Sequence, residues 1–95
     1  MTALRGEIDA LDRQIVIQLA RRASLIARAA ELKPNEGLPA RIDSRVEEVV
    51  SNVCANAKAQ DLDPALVETL WRVLIDWSIT EEEKTLGASP ALTPK

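Results

Sequence analysis

No proline interrupts the chain before Pro34, and over that stretch the apolar residues recur at helical spacing. Leu4, Ile8, Leu11, Ile15 and Leu19 mark one stripe at steps of three or four residues, with Gly6 a minor cost near its start. The pattern predicts a helix from Thr2 to Leu32, stopped at Pro34 because the residue before a proline is pushed out of the helical region. Such a helix is ~45 Å long, whereas a compact monomer of this size is roughly 30 Å across. Two shorter helices cannot cover a stripe of that length. The expected fold is therefore all-α: a three-helix chain with a long first helix that packs against a second copy of itself.

Two further helices read clearly. After the loop KPNEGLPA, rich in turn residues, Ser44-Arg45-Val46-Glu47 fits a capping box and starts a helix near Asp43 or Ser44. Its predicted buried face is Val46, Val49, Val50, Val53 and Ala57, and its end is near Ala59 or Gln60. Asp63-Pro64 supplies an N-cap followed by proline at the first helical position. The third helix is expected to turn Leu66, Val67, Leu70, Trp71, Leu74 and Ile75 inward and to run to about Leu86, with Gly87 as its stop. The helical domain is thus 1–87, and the tail 88–95 is expected to be disordered.

Composition narrows the chemistry. There is no histidine, which removes serine–histidine triads and nearly all catalytic zinc sites. The single cysteine, Cys54, sits among apolar neighbours and reads as a core thiol. Trp71 and Trp77 are the only aromatics, and both read as packing residues. A net charge of −3 offers no general attraction to nucleic acid or anionic membranes. No apolar run approaches a membrane span and no signal-peptide core is visible, so a cytoplasmic protein is expected.

The long stripe is broken by polar residues: Gln18, then Arg22, then Lys33. Arg22 and Lys33 are eleven residues apart, about 20° in rotation and roughly 16 Å along the axis, so they share a face. Buried cations without partners are costly. Three arrangements relieve that cost: the side chains bend out to solvent, they pair with Glu82 or Asp76, or they line a pocket for a small anion. Arg45 favours the last, because the start of the second helix supplies an arginine beside free N–H groups. Arg13, Arg21, Arg28, Glu47, Glu48 and Arg72 fit solvated faces or surface pairs.

The segment LRGEIDALDRQIVIQLARR, followed by Lys33, Arg45 and LDPALVETLWRVLIDWSITEEE, resembles the all-helical chorismate mutase family over about Ala3 to Leu86. The opening motif is short. The joint spacing of four cations and the Trp-Ser-Ile-Thr-Glu segment is more specific. The resemblance implies an intertwined homodimer in which the helices enclose two identical sites. Arg22, Lys33 and Arg45 of one chain would bind the substrate, and Arg5 would reach in from the other. Ser78 and Glu82 match pocket positions on the third helix.

The implied reaction is the concerted rearrangement of chorismate to prephenate, which calls for no nucleophile, metal or cofactor. Its substrate carries two carboxylates, which arginines hold in defined orientation. Negative charge grows on the ether oxygen as the C–O bond breaks, and a donor there binds the transition state best. Lys33 is the candidate donor and Glu82 the second. Two departures from the family stand out. Many members have glutamine at the position of Glu82, and a carboxylate donates a hydrogen bond only when protonated. Ile42 and Val46 stand where mutases often have carboxylates, one of which anchors the ring hydroxyl. An apolar residue at the Val46 position and the IDW-x-I-x-E segment are similar to the isochorismate pyruvate lyase branch, which yields salicylate and pyruvate. Two alternatives therefore stay open: that lyase, or a non-catalytic helical dimer binding an anionic metabolite or a protein. Convergence of the cations on one enclosed cavity is the discriminating feature.

Overall fold

The computed structural model describes residues 1–86. Helix α1 spans Thr2–Leu32, α2 Asp43–Ala59 and α3 Pro64–Leu86, with a single 3₁₀ turn at Pro34–Glu36; there is no strand among the described residues. The expected stop at Gly87 and the disordered tail 88–95 lie outside the described residues.

Pro34 ends α1 by a different route from the one expected. Lys33 keeps helical dihedrals (φ −57°, ψ −41°) and donates its N–H to the Ala29 carbonyl. The ladder fails one residue later, because proline has no N–H to continue it. The chain tightens into the 3₁₀ turn, and Gly37, at φ 69°, reverses it in the left-handed region. The capping box also fails to form. Ile42, in extended conformation, holds the cap position with no side-chain cap bond, and Ser44 falls inside the first turn. Asp43 takes the first helical position, where negative charge complements the exposed N–H groups. At α3 the expected cap is present: Asp63 Oδ1 accepts from the Ala65 N–H at 2.9 Å.

The four-residue turn between α2 and α3 folds them into an antiparallel pair. Val46, Val50 and Ile75 form its core, with Val49, Cys54, Trp71 and Ile79 packed around them. Outside, Arg72 joins the pair by donating to both Glu47 oxygens at 3.2 Å and to Glu68 at 3.1 Å. The hydrogen bonds from Arg72, and then its charge, hold the Glu47 carboxyl below its usual range. The C-terminal half of α1 lies along α3, where Ala30 is almost fully buried.

Among the described residues, nothing covers the N-terminal half of α1. Leu4, Ile8, Leu11 and Ile15 are all more than half exposed. The molecule is consequently 59 Å long with a radius of gyration of 16.8 Å, against ~12 Å for a compact domain of this length. On α3 the inward assignment is corrected for Leu66 and Leu70, which are 48% and 50% exposed. With Val73 and the half-exposed Trp77 they form a second apolar stripe, while Val67, Ile75, Ser78 and Glu82 are the residues buried within the chain. Trp77 is thus not a packing residue of this chain's own core. A helix apolar on two sides carries no internal mark of which side faces its own chain.

Candidate active site

Five of the six residues singled out from the sequence line one cavity of about 420 Å³ between the three helices. Arg22 projects from the middle of α1, Lys33 follows its last turn, Arg45 stands in the first turn of α2, and Ser78 and Glu82 lie one turn apart on α3. Ile26, Ala29, Val46, Ile75 and Ile79 supply apolar surface between them. The sixth, Arg5, is exposed and is not part of this lining. It lies seventeen residues before Arg22, ~25 Å along the helix, out of reach of its own chain's cavity.

The polar stripe is resolved by pairing and by convergence together. Lys33 Nζ donates to Glu82 Oε1 at 2.8 Å and to the Ala40 carbonyl at 2.8 Å. The two side chains of this ion pair are only 18% and 5% exposed, so Lys33 does not bend out to solvent. Two of the three ammonium protons are thereby used, and the third is free for a ligand. Asp76 is not a partner of Lys33 or Arg22; it is exposed and sits 3.9 Å from Arg41. Arg22 Nη1 donates to Ser78 Oγ at 3.3 Å, and Ser78 is buried. Arg45 is more open and pairs with Glu48 at 2.6 Å. Burial, and then the positive charge of Arg45, lower the Arg22 pKa from its ordinary value. Two cations held close enough to oppose each other, one of them partly desolvated, favour an anion between them.

Sequence reasoning missed the Ala40 carbonyl. A backbone acceptor leaves no residue-type signature, and only the path of the loop from Gly37 to Arg41 brings it to Lys33. It also assigned Ser78 to the ligand without seeing that its oxygen serves Arg22. Ser78→Ala should leave the helices intact, because the side chain is small, and should loosen Arg22. The expected result is a KM raised about tenfold with a smaller change in kcat, measured by steady-state kinetics. An unchanged KM would mean that Arg22 is held by its packing alone.

The model of the family described as chorismate mutase type II matches residues 4–83, most of the chain. The chain belongs to that family. Among curated proteins, it is 34% identical to the T-protein of Enterobacter agglomerans over 99% of its own length and 26% of that protein. It is 27% identical to the 4-amino-4-deoxychorismate mutase of Streptomyces pristinaespiralis, covering 99% of this chain and 74% of that one. A third relative, the bifunctional chorismate mutase/prephenate dehydratase of Enterobacter agglomerans, is 28% identical over 90% of this chain and 22% of that protein. The chain thus spans about a quarter of the two longer relatives. No solved structure matches it significantly. Among the described residues, no helix is long and apolar enough to cross a membrane.

Proposed function

We propose that the chain is a chorismate mutase, acting as a cytoplasmic homodimer. The observation that carries this reading is the convergence of Arg22, Lys33 and Arg45 on one cavity of a size suited to a small dianion. Arg22 and Arg45 hold carboxylates, and Ser78 keeps Arg22 in place. Clamping both carboxylates keeps the enolpyruvyl arm over the ring, which removes much of the entropic barrier. As the C–O bond breaks and the C–C bond forms, no atom leaves and no cofactor takes part. The free proton of Lys33 meets the charge that develops on the ether oxygen.

A second copy supplies what one chain lacks. It covers Leu4, Ile8, Leu11 and Ile15, and it brings Arg5 to a cavity that the same chain's Arg5 cannot reach. Each site then draws on both chains.

Glu82 acts on the reaction through Lys33. Paired with Lys33 it is an acceptor; a glutamine there is acceptor and donor at once. Glu82→Gln is expected to keep Lys33 in place and to hold kcat within about tenfold of wild type, measured by steady-state kinetics. A loss of kcat as large as that of Lys33→Ala would mean that the site needs the charge of Glu82 and not only its acceptor.

The buried Val46 on the cavity wall supports a second reading, isochorismate pyruvate lyase. Chorismate and isochorismate, offered separately to the purified protein, separate the two. Prephenate from chorismate supports the mutase; salicylate and pyruvate from isochorismate support the lyase. No product from either would remove both.

A further inference from the structure

The polar groups of the cavity are unevenly distributed. Arg22, Lys33, Ser78 and Glu82 gather where α1 meets α3, and Arg45 reaches in from α2. The remaining surface that α2 and its preceding residue contribute is Ile42, Val46 and Val49, side chains that neither donate nor accept a hydrogen bond. The nearby backbone acceptors already have donors. The Ile42 carbonyl receives the N–H groups of Arg45 and Val46 at 2.9 and 3.0 Å, and the Ala40 carbonyl receives Lys33. Asp43 and Ser44, the polar residues of the same turn, do not line the cavity.

From this distribution we infer that the site selects its substrate by the two carboxylates and the ether bridge and does not read the neutral substituent on the ring. The inference rests on the mutase reading and narrows its substrate class to dianionic enolpyruvyl ethers of a cyclohexadiene whose remaining ring substituent is uncharged. A site built to hydrogen-bond a substrate hydroxyl rejects the analogue lacking it by about 10⁴-fold or more, whereas an aliphatic wall separates such a pair by no more than ~10²-fold. A ring ammonium is a different matter. It would lose its water against Ile42, Val46 and Val49 while facing the positive charges of Arg22, Lys33 and Arg45, with the charge of Glu82 already balanced by Lys33. The chain should therefore differ in preference from the relative named as a 4-amino-4-deoxychorismate mutase.

The test compares kcat/KM, each divided by the uncatalysed rate, for chorismate, its ring-deoxy analogue and 4-amino-4-deoxychorismate with the amine protonated. The first two should agree within ~10²-fold, and the third should fall more than ~10²-fold below chorismate. Loss of about 10⁴-fold on removing the hydroxyl, or efficient turnover of the amine, overturns the inference. Calorimetric binding of a bicyclic dicarboxylate ether, with and without a ring hydroxyl, gives an answer independent of turnover. Dissociation constants within about tenfold of each other support the inference even if chorismate is not converted, in which case only the mutase reading fails; a larger preference for the hydroxylated ligand overturns it. Val46→Thr, with its fold checked by circular dichroism, should shift that pair by about tenfold toward the hydroxylated ligand. No shift would overturn the placement of the ring against this wall.

Discussion

Lys33→Ala is expected to lower kcat/KM by about 10³-fold, the largest effect of any single substitution in the cavity. In the proposed mechanism the variant loses the donor at the ether oxygen, and Arg22 and Arg45, which hold the carboxylates there, do not replace it. It also destabilises the fold. Glu82, whose side chain is only 5% exposed, is left as a buried charge without a partner, and the Ala40 carbonyl loses its donor. Breaking a buried pair from one side costs about 3–5 kcal/mol. Loss of rate alone therefore cannot assign the role. The double variant Lys33→Ala/Glu82→Gln separates the two effects, since a neutral amide tolerates the missing ammonium far better. Thermal unfolding should recover most of the lost stability, while turnover stays at the Lys33→Ala level. Recovery of turnover along with stability would make Lys33 a structural residue.

The second large effect rests on the proposed dimer. Arg5→Ala should lower kcat/KM by about 10²-fold while leaving the single-chain fold unchanged, because Arg5 is exposed. Mixing the two inactive proteins gives the sharper result. If Arg5 acts across the dimer, a mixed pair of Arg5→Ala and Lys33→Ala chains holds one intact site and one doubly damaged site. Unfolded and refolded together in equal amounts, the two inactive proteins should regain about a quarter of wild-type activity, the share of intact sites under random pairing. No recovery, with mixed dimers demonstrated by mass spectrometry, would place Arg5 outside the site.

The helix boundaries were legible because each carries a local chemical cause. Pro34 ends α1, Asp63-Pro64 opens α3, and the valine periodicity of α2 marks the face on which Val46, Val50 and Ala57 are buried and Val49 and Val53 are partly buried. Ser44 misled because a capping box is also a common surface sequence, and an extended Ile42 one residue before Asp43 took the cap instead. On α3, Leu66 and Leu70 misled because apolar residues occupy two stripes of the helix. Periodicity registers both stripes and cannot tell an intrachain contact from a surface left for another molecule.

The site divides in the same way. That Arg22 and Lys33 share a face of α1 follows from their spacing, since helical rotation is a local property of the backbone. That Arg5 points elsewhere follows from the same rule. What spacing could not supply is the third dimension: that Lys33 is held by Glu82 and the Ala40 carbonyl, that Ser78 serves Arg22, and that the start of α2 closes the cavity with Ile42 and Val46 rather than with a polar wall. Those contacts join residues up to fifty-six positions apart, brought together by packing energy that no local pattern encodes. The sequence by itself determined the helices and their polar interruptions; only the tertiary structure decided which cations converge, because convergence depends on how the helices dock.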